Sequence, residues 1–261
     1  MLEKIRGVIL YKGKSELDGK KIVGIATFNS HNVKTGNMIQ SWILRDNGKP
    51  PYENLNNADA SICGDCIHRE GSCYVNLAQG QNQVYKAYQR GLYPNYEELK
   101  HSSLFKDKVF RLGSYGDPVA IPFEVWEKII KLVKNWTGYT HQWKQLRFNA
   151  FRLFCMASIE TEDQIKEANR LGFRTFRVKA SNQVRTANEF VCPASIEAGH
   201  SKTCIECKAC RGWLLNTPKA TNVVINAHGW GWKIKRYEDN ITKLKNLVSL
   251  PVADVNGFEI K

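Results

Sequence analysis

Seven of the eight cysteines in this 261-residue chain fall in two short segments. The stretch "SICGDCIHREGSCYVN", Ser61 to Asn76, holds Cys63, Cys66 and Cys73 with His68 among them. Far downstream, "CPASIEAGHSKTCIECKACRG" holds Cys192, Cys204, Cys207 and Cys210. What such thiols do depends on their compartment. The N-terminal stretch lacks the long apolar run and small-residue cleavage site of a signal peptide. No apolar run approaches the roughly 20 residues of a membrane span. A soluble cytoplasmic protein with no membrane partner is expected, and there clustered cysteines serve as metal ligands or catalytic thiols in preference to disulfides. Cys155, inside "AFRLFCMAS", reads as a small core hydrophobe.

The downstream spacing is Cys-x11-Cys-x2-Cys-x2-Cys. Four thiolates saturate one metal centre, and the two consecutive short spacings favour an iron–sulfur cluster held by one tight loop, with zinc as the alternative. The upstream set is Cys-x2-Cys-x6-Cys. Three thiolates can hold a four-iron cluster while leaving one iron open, the arrangement of a catalytic metal. Two other readings compete: a zinc site completed by His68, and a single site shared by the two distant segments.

Elsewhere the pattern is that of an ordinary globular chain, 43% hydrophobic and without a repeat of fixed period. Strand-like alternation runs from Ile5 to Arg45, and a turn-rich loop from Asp46 to Ser61 delivers the first cysteine set. Helices are expected over "NLAQGQNQVYKAYQRGL", "YPNYEELKHSSLF" and "PFEVWEKIIKLVKNW", the last with Pro122 at its start. Strand "KVFRLG" ends in the turn "GSYGDP". Strand "GYTHQW", strand "RLFCMASI", helix "TEDQIKEANRLG" and strands "FRTFRV" and "NEFVC" follow, then strand "NVVINAHG" and helix "YEDNITKLKNLV". This alternation predicts an α/β fold, a partial or complete (β/α) barrel. Its parts are an N-terminal β-rich segment over 1–60, the barrel-like core over 61–191, a cysteine-rich insertion over 192–213 and a closing strand and helix over 214–261. Loops after the strands would share one rim.

Lys and Arg outnumber Asp and Glu 38 to 25, a net charge of +13, which favours a polyanionic partner such as a nucleic acid or nucleotide. Three basic stretches carry aromatics: "RFNAFRLF", "FRTFRVK" and "WGWKIKRY". Such a mixture suits stacked bases, and equally suits half-buried elements. A phosphate loop of the Walker type and a hydrolase triad are both missing from the sequence, which disfavours ATP-driven and acyl-transfer chemistry.

An open three-cysteine set near the first strands, with a glycine-rich turn after a later strand, resembles the radical S-adenosylmethionine superfamily. A closer likeness is to small phage- and plasmid-encoded members, in which an aromatic residue follows the last cluster cysteine, as in Cys73-Tyr74. The likeness covers about Ser61 to His228 and rests on order and arrangement, since the usual spacing is Cys-x3-Cys-x2-Cys. It implies one open four-iron cluster on Cys63, Cys66 and Cys73 that chelates S-adenosylmethionine and cleaves it to a hydrogen-abstracting radical. It also implies a fully ligated auxiliary cluster on the four later cysteines and an electron donor such as flavodoxin or ferredoxin. In the family a Gly-Gly-Glu-Pro turn touches the methionyl group, so Gly113, Tyr115, Gly116 and Asp117 would face the cofactor. On the substrate side, Tyr139 and His141 alternate on one strand. Arg174, Thr175 and Arg177 lie on another, Arg177 being suited to clamp an anion; Glu160 and Lys179 end their strands.

Overall fold

The computed structural model describes residues 5–29, 32–54, 59–212 and 222–248. The ends of the expected N-terminal and closing segments, part of the Asp46–Ser61 loop and Trp213 lie outside them. The N-terminal alternation becomes a meander of β1 (Gly7–Lys14), β2 (Lys21–Thr27) and β3 (Ile39–Arg45), paired antiparallel in succession. β3 then pairs in parallel with β4 (Val109–Tyr115), and β4 with β5 (Asn135–Thr137). Residues 1–60 therefore contribute strands to the same sheet as the segment that follows the first cysteines.

A second five-stranded sheet is parallel throughout, in the order β6-β7-β8-β10-β9. Its strands are β6 (Tyr139–Thr140), β7 (Met156–Ile159), β8 (Thr175–Lys179), β9 (Glu189–Val191) and β10 (Asn222–Asn226). Only Gly138 separates β5 from β6, so one extended segment carries an edge strand of each sheet. A Cβ at Gly138 would lie 3.0 Å from Cys155 Sγ and Phe154 O, a close approach that glycine accommodates.

The helices are α1 (Ala60–Cys63), α2 (Gly80–Gln89), α3 (Glu98–His101), α4 (Phe123–Ile130), α5 (Asp163–Arg170), α6 (Cys204–Cys207) and α7 (Gly231–Val248). In α4 the buried Trp126, Ile129 and Ile130 follow helical spacing, and the Trp126 indole donates to Pro118 O at 2.8 Å. The sequence carries that helix through Trp136, yet it stops at Ile130 because Asn135–Thr137 pair with β4. The strand expected over "RLFCMASI" begins only at Met156. Before it, Leu146–Leu153 coil as 3-10 helix, with Phe148 and Phe151 in the core. Most of "YPNYEELKHSSLF" is likewise not α-helix: Pro94 and Tyr96 exchange backbone hydrogen bonds with Ile9.

The largest core fills the β1–β5 sheet and α4, while Trp143, Ile159, Ile165, Ala168 and Phe173 pack α5 on the second sheet. Cys192, Ala194 and Cys210 join Met156, Val223 and Ile225 in a third cluster, so the cysteine-rich insertion is part of the core. Cys155 is fully buried, as a core hydrophobe should be. Among the described residues no helix is long and apolar enough to cross a membrane.

Candidate functional site

The upstream cysteines follow β3 on a loop built from the single turn α1 and a 3-10 turn, Ile67–Glu70. Four separate parts of the fold hold it. Ser15 Oγ donates to Ser61 O at 2.6 Å, and Ser61 Oγ to Asp18 Oδ2 at 2.7 Å. From the turn after β4, Asp117 N donates to Ile62 O at 2.6 Å. Gln142, just past β6, donates to Cys63 O at 3.4 Å. Lys233 Nζ on α7 donates to Cys73 O at 2.6 Å, and Asn240 Nδ2 to Ile67 O at 3.4 Å. Within the loop, Arg69 Nε pairs with Asp59 at 2.8 Å.

All eight cysteines are free thiols. Burial pushes the Cys63 thiol well above its ordinary range, with Asp59, Cys66 and Cys73 adding to the effect. Burial likewise lifts Cys73 to about 11. Thiols so placed stay protonated unless a cation takes the proton's place. Tyr115, on β4, is buried beside Cys63 and Cys73, and its hydroxyl has no hydrogen-bond partner. A buried donor left unpaired beside these two thiols fits a ligand held there.

The turn after β4 serves this loop through its backbone. Gly113 and Gly116 have φ of +64° and +85°, and the Asp117 carboxylate is taken up by Val119 N and His141 N. A Cβ on Gly116 would lie 2.7 Å from Ile43 Cβ, in a conformation that L side chains resist. Gly116→Ala is therefore expected to lower unfolding stability by ~1–3 kcal/mol in urea melts, through strain at this turn.

The downstream cysteines, with Phe190, Pro193 and Val223 among their neighbours, line one cavity. Gly138 N donates to Cys210 O at 3.0 Å, Cys192 N to Val224 O at 2.8 Å, and Cys204 N to Lys34 O at 3.0 Å. Arg174 donates to Ala209 O and Arg211 O. Burial raises the thiols of Cys192, Cys204 and Cys210. The Tyr139 hydroxyl is hydrogen-bonded to Cys210, so Tyr139 meets the second cysteine set.

His141 meets the first. Burial opposes its charge, but Cys66 and Glu160 beside it hold the imidazole's pKa well above its ordinary value. Its Nε2 lies 3.4 Å from Glu160 Oε1. His68 stacks on Tyr237, ring centroids 5.1 Å apart, and faces His141 edge-on at 5.6 Å. Burial, followed by His141 and His228, lowers His68 to about 3. Among the described residues, His68, His141 and Glu160 are the one group of three His, Cys, Asp or Glu ligand atoms within 4.8 Å of one another. His68 thus gathers with His141 and Glu160.

Arg177, expected to clamp a ligand's anion, is fully buried and holds an anion of its own chain. Its Nε and Nη2 donate to Glu189 at 2.7 and 2.6 Å, and Nη2 also to Val184 O at 2.9 Å. Thr175 is buried as well, and Lys179 Nζ reaches Ala180 O at 3.4 Å.

Sequence reasoning passed over Arg111. On β4 its guanidinium donates to Tyr74 OH at 3.1 Å and lies near Tyr139 and Cys204. It thus links the residue after Cys73 to the downstream set. In "VFRLG" it reads as a solvent-facing strand residue, so local pattern gave no signal. Of the basic–aromatic stretches, "RFNAFRLF" and "FRTFRVK" bury Phe148, Phe151, Phe154 and Phe173, and half-bury Phe176. In "WGWKIKRY", by contrast, Trp230 and Trp232 are 74% and 60% exposed, beside Lys233. No protein-family model, curated protein or solved structure matches the chain.

Proposed function

We propose that the chain is a radical S-adenosylmethionine-type iron–sulfur enzyme acting on a nucleic acid or nucleotide, on a partial (β/α) barrel. One observation carries this reading: the three-cysteine loop and the Gly-Asp-Pro turn, 54 residues apart in sequence from Cys63 to Asp117, are joined directly by the Asp117 N to Ile62 O hydrogen bond of 2.6 Å. The order of parallel strands β3, β4, β5–β6, β7, β8 and β10, with α7 returning to the cysteine loop, supports the barrel. The burial of Cys63 and Cys73 on one loop and the orphan Tyr115 hydroxyl beside them support a metal centre on Cys63, Cys66 and Cys73. Bound together, that cluster and S-adenosylmethionine would supply a one-electron cleavage that yields a radical, fed by a donor such as flavodoxin or ferredoxin.

The chain's own residues have definable tasks. Gly113 and Gly116 let the turn after Tyr115 pack closely on Pro118 and Ile43 and so hold it against the cysteine loop. Asp117 fixes the backbone of His141. Lys233 anchors the loop at Cys73, and its neighbours Trp230 and Trp232 offer exposed ring faces to a base, where stacking contributes ~1–3 kcal/mol per base. Cys192, Cys204, Cys207 and Cys210 would hold the second cluster, within reach of Tyr139 and Arg111.

Anaerobic purification followed by iron and sulfide assay tests the reading, with reductive cleavage of S-adenosylmethionine assayed alongside. About eight iron atoms per chain, brown colour and 5′-deoxyadenosine formation are expected. A colourless protein containing only zinc would replace it with a zinc-stabilised nucleic-acid-binding or nuclease-like protein.

A further inference from the structure

We propose that His68, His141 and Glu160 bind one divalent transition-metal ion of the zinc class, at a site that adjoins the first cysteine set but takes no ligand from it. Each residue offers a ligand atom, and the three atoms lie within 4.8 Å of one another. A tetrahedral ion about 2.0–2.1 Å from nitrogen and oxygen ligands sets neighbouring ligand atoms about 3.3 Å apart. The separation of His141 Nε2 and Glu160 Oε1 is 3.4 Å. The two atoms face each other as a buried pair, Cys66 also meets His141, and Glu160 is only 5% exposed. An ion between them would take the place of the proton on His141.

The surroundings already orient the ligands. Ser72 Oγ lies 3.1 Å from His68 Nδ1; with the Nδ1–H donating to that hydroxyl, Nε2 would keep the lone pair for a metal. Stacking on Tyr237 fixes the ring, and the Tyr237 hydroxyl is itself tied to Val178 O at 2.5 Å. His141 is held at its backbone by Asp117 Oδ2 at 2.8 Å. The Glu160 backbone N–H donates to Gln164 Oε1 at 2.9 Å. Two imidazoles and one carboxylate leave a coordination position for water or for an anionic oxygen, as in catalytic zinc sites. No ligand is a thiol, although Cys66 lies beside His141, so iron and cobalt are counted separately in the test.

Cobalt(II) is the probe. Full-length protein is purified anaerobically, its iron counted, then dialysed against Co2+ and desalted, and bound cobalt is measured with the visible spectrum. Wild type is expected to keep one equivalent of cobalt more than Glu160→Gln or His68→Ala, and Cys73→Ala to keep one equivalent more than its Glu160→Gln double variant. The difference spectrum between wild type and Glu160→Gln should show weak ligand-field bands without the strong near-ultraviolet bands of cobalt–thiolate bonds. Glu160→Gln is isosteric, and His68→Ala serves as the second variant should it fold poorly. Equal cobalt in wild type and both variants, or a difference spectrum dominated by thiolate bands, overturns the site. Iron content reports separately on the cysteine centres: iron-free protein that still shows the cobalt difference would sink the cluster reading alone.

Discussion

Replacing Cys73 with alanine is expected to halve the iron, from about eight atoms per chain to about four, and to abolish S-adenosylmethionine cleavage. A three-thiolate cluster has no spare ligand, so losing one leaves two, too few to retain it. The downstream set shares no residue with the loop and lines its own cavity, so its iron should remain. The loop itself should stay in place, because α7 holds Cys73 through its backbone carbonyl, which alanine keeps. Cys210→Ala gives the reciprocal test: its iron loss falls on the other centre. Iron and sulfide counts with chromatography of 5′-deoxyadenosine read both variants. Loss of all metal from Cys73→Ala would mean one site shared by the two segments, an arrangement the sequence leaves open.

The alternation of strand and helix was legible because each element carries its own periodicity, as α5 does with buried Ile165 and Ala168. Boundaries were not, where a partner distant in sequence decides them. Asn135–Thr137 looks like the end of α4 until β4 offers it a parallel neighbour. Met156 opens β7 late because Phe148, Phe151 and Phe154 are drawn into the core first. The cysteines announced themselves by number and spacing. What they lie beside did not: Arg111, Tyr74 and Tyr139 meet across three elements, and no local pattern records that. His68 shows the same limit, since its place in the cysteine loop suggested a fourth ligand for the thiols. The fold turns it toward His141 and Glu160, on a strand end and a following turn about seventy to ninety residues away.

Arg177→Met is expected to destabilise the chain by ~3–5 kcal/mol, because it strands the Glu189 carboxylate in the core. Both side chains are fully buried, and the carboxylate accepts from Arg177 Nε and Nη2, Thr186 N and Thr186 Oγ. Burial raises the Glu189 pKa, but the Arg177 and Thr186 hydrogen bonds outweigh it and leave the carboxyl below its ordinary value. The folded pKa therefore lies under the unfolded one of about 4.3. The pair's stabilisation is fully present above that value and is lost as pH falls through the folded pKa. Urea melts should show the gap between wild type and Arg177→Met widest near neutrality and narrowing below about pH 4, where protonated Glu189 no longer needs a counter-charge. Arg177→Met combined with Glu189→Leu should recover part of the loss, since an apolar pair leaves no buried charge alone. A neutral-pH loss below about 1 kcal/mol, the level of an exposed ion pair, would show that Glu189 finds other compensation in the variant, and would return Arg177 to the candidates for ligand binding.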